Sequence, residues 1–333
     1  MKKLLASLLV AAMTLSLAAC GGAAEGGNAG GGSKGVARYS LGSGSSGGNF
    51  YLVGGGLSTV INNALPDQFV ITSEETGGST ANLTMLQNGD VEMGISMTSS
   101  MAEAWAGEAE WTGGKMDKLR GMVPLYPSYL TIYTKADSGI KCLDDFNCKI
   151  FGLGSKGAAM DSVFREVFED RGIKPASIFN DGHGATATAL ADGQIDVALL
   201  FSFPPFAAIS ELEATQELTF IPLSAEEQQY LVDTYPFYTA ASMPAGSYKG
   251  TAEDVPVVVE WNMLVTNSDV SEDEVYAMAK ALFDNNDKLL EVHKSLSYVT
   301  ADNCASFNIP LHPGVVKYLK EAGIEVPEEL IAK

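Results

Sequence analysis

Three features of the sequence predict an α/β protein built of two similar lobes with a ligand cleft between them. The first folded segment alternates strands and helices in βαβαβ order. A seven-residue pattern, L-x-x-G-x-[VI]-[DE], occurs twice. A glycine-rich turn after a strand precedes each copy. Residues 37–41 form a short strand, a Gly/Ser loop leads into a helix over residues 49–63, and residues 69–72 make the next strand. Thr76-Gly77-Gly78-Ser79 opens a second helix that ends at Asn88-Gly89, and residues 91–96 are a third strand. Short connections in this order give a parallel sheet covered by helices.

The repeated pattern is Leu86-Gln87-Asn88-Gly89-Asp90-Val91-Glu92 and Leu190-Ala191-Asp192-Gly193-Gln194-Ile195-Asp196. In each copy a helix ends at a glycine, which takes the left-handed conformation without steric cost, and a buried strand begins. The turns upstream are residues 42–48 and Gly152-Leu153-Gly154-Ser155-Lys156-Gly157. The β-rich stretches 130–135 and 257–266 flank the second lobe, as strands crossing between lobes do. Lobe 1 is expected over residues 36–134 and 240–333, and lobe 2 over residues 135–239. After the second crossing, Ser271-Glu272-Asp273-Glu274 is a capping box, and the stripe of Val275, Met278, Leu282 and Phe283 on the helix that follows is core packing.

The chain opens with Met1-Lys2-Lys3, an apolar stretch over residues 4–19 and then Cys20-Gly21. A basic start, a short hydrophobic run and small residues before the cut define a signal peptide over residues 1–19. A membrane-spanning helix needs about 20 apolar residues. The Leu17-Ala18-Ala19-Cys20 ending is that of a lipoprotein, with Cys20 as the lipidated first residue of the mature chain. Residues 20–35 are mostly Gly, Ala, Ser and Asn, the composition of a flexible tether. The expected location is extracytoplasmic, with the protein anchored to a bacterial cell membrane.

Acidic side chains number 41 against 21 basic ones, for a net charge of −20, which argues against nucleic acid and against docking of the body on an anionic membrane. Cys142 and Cys148 stand close enough in sequence for a small disulfide, leaving Cys304 over. None of these thiols is paired with a histidine at ligand spacing, so no metal is expected.

Residues 42–47 satisfy G-x-G-x-x-G, with Glu74 placed as the acidic partner of a dinucleotide site, but the motif alone is weak and an exported chain meets little NAD. Residues 44–48 also satisfy G-x-S-x-G, which would make Ser46 the nucleophile of a hydrolase with His312 as base; that elbow normally follows several strands and here follows the first. With only three histidines, His183, His293 and His312, acid–base chemistry finds little support, and the chain reads as a binding protein without a cofactor, not as an enzyme. Glycine loops leading into helices offer free amides at the positive end of the helix dipole, which suits a carboxylate.

Gly47-Gly48-Asn49-Phe50-Tyr51 resembles the opening segment of the solute-binding proteins of TAXI-type TRAP transporters. The similarity continues through residues 76–83, Leu125-Tyr126-Pro127, residues 136–141, Tyr235-Pro236-Phe237-Tyr238, Pro244-Ala245-Gly246-Ser247-Tyr248, Glu253-Asp254-Val255-Pro256 and residues 309–314, in order from Tyr39 to Leu319. This resemblance implies a two-lobed type II periplasmic-binding-protein fold that closes on a small-molecule ligand, a carboxylate or amino acid, and delivers it to a TRAP permease driven by an ion gradient. The chain departs from the family at Met97-Thr98-Ser99, where Gln-Ser-Asp is usual, and at Ala158-Ala159-Met160-Asp161, where Ser-Gly-Thr-Glu is common. Assignment to glutamate therefore does not follow.

By position, the ligand residues expected are Ser45, Ser46, Asn49 and Tyr51 from the first loop, Thr76, Ser79 and Asn82 from the second, and Thr98 from the third. Tyr126, Ser155, Lys156 and Phe203 complete the cleft. Lys156 carries the sharpest electrostatic argument, since a cation at a helix N-terminus is misplaced unless an anion joins it. A solvated loop lysine, and aromatic core packing for Tyr51 and Phe203, are the alternative readings of these residues.

Overall fold

The computed structural model describes residues 35–332, except 45, 47, 108, 155, 157 and 158. The signal segment, Cys20 and most of the tether lie outside the described residues. The first half of the chain runs β1 (Ala37–Gly42), α1 (Asn49–Ala64), β2 (Phe69–Glu74), α2 (Ser79–Asn88), β3 (Met93–Met97) and α3 (Thr98–Ala106), then the long strand β4 (Leu119–Lys135). The middle comprises β5 (Ile150–Gly152), α4 (Ala159–Asp170), β6 (Ser177–Phe179), α5 (His183–Ala191), β7 (Val197–Ser202), α6 (Ala207–Leu212), β8 (Leu218–Phe220), α7 (Ala225–Thr234) and β9 (Tyr238–Met243). A second long strand, β10 (Val255–Asn267), leads back to α8 (Glu272–Asp284), α9 (Asn286–Val292) and α10 (Pro313–Glu321).

The strands form one sheet in the order β2-β1-β3-β10-β4-β7-β5-β6, with β8 added to β4 and β9 to β10. Two halves of it share one plan. In the first, β2-β1-β3 are parallel, β10 is antiparallel to β3, and β4 follows. In the second, β6-β5-β7 are parallel, β4 is antiparallel to β7, and β8 follows. Each half is completed by a long strand shared with the other, which is the two-lobed α/β arrangement the sequence predicts.

The sequence repeat does the same structural work in both lobes. Gly89 and Gly193 both take positive φ, 77° and 72°. The amides that follow close the helix ends identically: Gly89 N–H donates to Leu86 and Asp90 N–H to Met85, while Gly193 N–H donates to Leu190 and Gln194 N–H to Ala189. The acidic residue at the end of the pattern clasps the first strand of its own lobe. The Glu92 carboxylate accepts Ser40 N–H at 2.8 Å, and Glu92 N–H returns a bond to the Ser40 carbonyl. The Asp196 carboxylate accepts Ile150 N–H at 2.7 Å, and Asp196 N–H donates to the Ile150 carbonyl. Two residues further along each first strand is a glycine whose added Cβ would meet the helix above it, Asn82 Oδ1 at 2.5 Å for Gly42 and Thr186 Cγ2 at 2.3 Å for Gly152.

Two apolar cores follow from this plan. One gathers Leu41, Leu57, Ile95, Leu264 and Leu282, and the other Phe151, Phe164, Leu199 and Val258. The long strands serve both: β4 passes from one core to the other between Tyr126 and Tyr129, and β10 between Val259 and Trp261. The sequence reading found only residues 130–135 of β4; Pro124 and Pro127, a residue type disfavoured in strand interiors, fall in the part it left out. Pro127 pairs in register with Trp261, and the ladder shifts register opposite Asn262/Met263, beside Pro124, and opposite Leu264/Val265. The capping box forms as read, with Ser271 Oγ accepting Glu274 N–H, and Val275, Met278 and Leu282 are wholly buried. Among the described residues no helix is long and apolar enough to cross a membrane.

Cys142 and Cys148 are exposed, free thiols at opposite ends of a 3-10 turn (Leu143–Phe146), and Cys304 is a buried free thiol. Cys142 caps that turn together with Asp145, and Cys148 holds a left-handed φ of 58°. The possible disulfide is not present in this structure.

Candidate functional site

The loops at the carboxyl ends of the parallel strands face one another across the long strands and enclose two adjoining recesses. The inner one, about 660 Å³, is lined by Ser79, Met97, Ser99, Glu103, His183 and Glu260, among others. The outer one, about 360 Å³, is lined by Gly48, Asn49, Gly78, Tyr126, Phe206 and Asn262, among others. Met97, His183 and Phe201 belong to both. Open α/β sheets bind ligands at such strand ends. A larger recess of about 990 Å³ lies against α7, near Arg171 and Pro256, and holds none of the residues expected to bind ligand.

Helix starts dominate the walls. α1 begins at Gly48, α2 at Gly78, α3 at Met97 and α5 at Gly182, and no cap side chain bonds their first amides. Away from the cleft, α7, α8 and α10 begin with side-chain caps from Ser224, Ser271 and His312; α9, which abuts α8, has none. Orphan amides at a helix start need an acceptor from solvent or ligand. At α3 part of that need is met by Glu260, whose carboxylate accepts Ser99 N–H at 2.9 Å.

Of the expected ligand residues, Asn49, Ser79 and Tyr126 line the recesses. Ser79 Oγ also accepts Met97 N–H at 3.1 Å, fixing the end of β3. Thr98 is 2% exposed and its hydroxyl donates to the Phe237 carbonyl. Thr76 and Asn82 form an internal network: Thr76 Oγ1 donates to Asn82 Oδ1 at 2.6 Å, and Asn82 Nδ2 donates to the carbonyls of Ser43 and Ile95, both at 2.7 Å. Asn82 is fully buried, so it ties two loops to β3. Ser46 is exposed, its N–H on Glu75, and Tyr51 is 44% exposed on the outer face of α1. Lys156 is exposed and is not among the described lining residues. Ser45 and Ser155 lie outside the described residues. Phe203 packs edge-on against Tyr126, Tyr129 and Tyr298, where the two cores meet, and Phe201, two residues earlier, lines both recesses in its place.

The residues the sequence reading passed over are Glu260 and His183. Glu260 is 2% exposed on β10, and burial pushes its carboxyl up to about 7. His183, the first residue of α5, has a buried Nδ1 without a hydrogen-bond partner among the described residues, and burial lowers its pKa. Its ring lies edge-on to Phe206.

The hydrolase and dinucleotide readings find no geometry. His312 is 2% exposed, Nδ1 accepting Gly314 N–H at 3.2 Å and Nε2 donating to the Val270 carbonyl at 3.0 Å, so both nitrogens are committed to the main chain. Glu74 is hydrogen-bonded by the Ser40 hydroxyl. Among the described residues no group of three His, Cys, Asp or Glu side chains is placed to hold a metal.

The chain has the two-lobed α/β fold of periplasmic-binding proteins. The chain belongs to the NMT1-like family, which it matches over residues 41–323. Solved structures agree on the fold at low identity. A TctC solute-binding protein from Polaromonas aligns at a TM-score of 0.54 and 14% identity, covering 77% of this chain and 86% of that one. The periplasmic binding protein BugD aligns at 0.51 and 14% identity, covering 86% and 98%. A structure from work on glutathione import through GshT and the cystine importer TcyBC of Streptococcus mutans aligns at 0.50 and 12% identity, covering 80% and 97%.

Proposed function

We propose that this chain is the extracytoplasmic receptor of a TRAP-type membrane permease, anchored through lipid on Cys20, and that its lobes close on a small carboxylate-bearing solute. The observation that carries the reading is the convergence of α1, α2 and α5 on one cleft with no side-chain cap on any of them. First-turn amides that no cap side chain bonds, with the positive ends of three helix dipoles, stabilise a carboxylate without a cationic side chain. With the departures at residues 97–99 and 158–161, an assignment to glutamate does not follow.

A solute that binds only the folded cleft stabilises it by mass action, by about 2.7 kcal/mol at 100 times its Kd. Thermal unfolding of the mature chain against a panel of small mono- and dicarboxylic acids tests this, together with mass spectrometry of what copurifies. A carboxylate that raises the melting temperature is the expected result. A panel without effect and a protein that copurifies with no solute would sink the reading. For the anchor, Cys20→Ser releases the protein from membranes or blocks processing of its precursor; processing and membrane retention as before would remove the lipid.

A further inference from the structure

We infer that Glu260, at the floor of the inner recess, receives a protonated nitrogen of the solute, so that the ligand carries an amine and is not a simple anion. The inference rests on the reading of the cleft as a solute site. A buried carboxylate is costly unless it is paired. Glu260 accepts the Ser99 N–H at 2.9 Å and a hydrogen bond from the Ser99 side chain, and among the described residues no ion pair reaches it. Its partners across the sheet are Ser128 on β4 and Tyr238 on β9, neither of them cationic. The Tyr238 hydroxyl is itself buried without a hydrogen-bond partner among the described residues. From α3, Glu103 adds charge of the same sign.

The recess as a whole repeats this imbalance. Glu103, Glu110 and Glu260 line it, and no lysine or arginine is among its described lining residues. His183 lines it too, with its ring driven toward the neutral form by burial. Phe201 and Trp111 supply aromatic walls of the kind that attract an ammonium group, Met97 adds a polarizable one, and the Trp111 N–H is taken by the Glu103 carboxylate at 2.7 Å. The helix starts in the outer recess and the carboxyls in the inner one therefore sort a zwitterion end for end. A purely structural Glu260 would act only as an acceptor for the Ser99 amide and side chain, a task the carbonyl oxygen of a neutral glutamine performs as well.

The test is titration calorimetry of the mature chain, wild type and Glu260→Gln, with short straight-chain carboxylic acids, each with and without an amino group. The wild type is expected to bind an amine-bearing acid about 100-fold more tightly than its amine-free partner. Glu260→Gln should weaken the amine-bearing acid by about 10- to 100-fold, as for loss of a charge-assisted hydrogen bond, and should not weaken the amine-free one. Wild-type affinity that is equal or higher for the amine-free acids overturns the inference and leaves the receptor standing, as does an unchanged affinity in Glu260→Gln. Binding of neither series, with no solute copurifying, overturns both. If the variant does not fold, the wild-type selectivity alone decides.

Discussion

The Thr98 hydroxyl donates a hydrogen bond to the Phe237 carbonyl at 3.1 Å, joining residues that lie 139 apart in sequence. Thr98 opens α3, which packs in the first core, and Phe237 packs against the second. The bond therefore spans the two lobes beside the cleft. From the other side, Asn308 Nδ2 donates to the Thr98 carbonyl at 2.8 Å, so the turn is held on both flanks.

Thr98→Val keeps the shape of this side chain and removes its donor. Loss of one buried hydrogen bond costs about 1 kcal/mol. Urea unfolding should show a lower midpoint with an unchanged slope, and Thr98→Ser should restore most of the loss. Equal stability of the valine and wild-type chains would mean that the contact contributes nothing.

Glu260 gives the empty protein a pH dependence of unusual sign. Its carboxyl titrates near 4.5 in the unfolded chain and at about 7 in the folded one, where burial outweighs the hydrogen bonds from the Ser99 side chain and N–H, and Glu103 adds repulsion. Between those values the folded state holds the extra proton. Stability from this group is complete below about pH 4.5 and is lost as pH rises to about 7, a fall of about 3 kcal/mol. Glu260→Gln has no proton to lose there. Plotted against pH, the stability difference between variant and wild type should widen in favour of the variant across that window, and parallel curves would exclude a buried, shifted carboxyl.

His312 works in the opposite direction. Its burial, reinforced by nearby Arg120, lowers its pKa, and the neutral ring both caps α10 and bonds Val270. The unfolded chain takes up its proton near the ordinary value of 6.5. Stability from the neutral ring is therefore complete above that value and is lost as pH falls. His312→Asn should cost about 1 kcal/mol at pH 8, since asparagine caps well but loses the Val270 bond. The penalty should shrink on acidification, and a penalty that stays constant down to about pH 5 would show that the ring does not titrate with unfolding.

The fold was legible because its signals are local. A glycine at a helix end and an acidic residue three positions on read the same at residues 89–92 and 193–196, and each pair sets a helix end and a strand register. The cleft was legible only as loops. Asn82 reads as a ligand residue from its place after a glycine turn, but its amide lies beneath the turn and bonds main chain. Phe203 reads as a cleft aromatic, yet the chain turns at the end of β7 and presents Phe201 instead. Glu260 had a visible signal, a single carboxylate within Val257-Val258-Val259-Glu260-Trp261, and what it lacked was any indication of which groups across the sheet would face it.

The duplication makes a paired prediction. Glu92 and Asp196 hold equivalent positions, each accepting a main-chain N–H from the first strand of its lobe at 2.7 to 2.8 Å. Truncating either to alanine leaves a strand N–H without its acceptor, at a cost of about 1 to 3 kcal/mol. The two sites lie in different lobes and share no partner, so their effects should add within about 0.5 kcal/mol in the double variant. Glu92→Gln and Asp196→Asn keep an acceptor oxygen and should lose less. Denaturant unfolding of the four single variants and the double alanine variant measures this. If only one of the two alanine substitutions destabilises, the clasp is a feature of one lobe and not of the repeat.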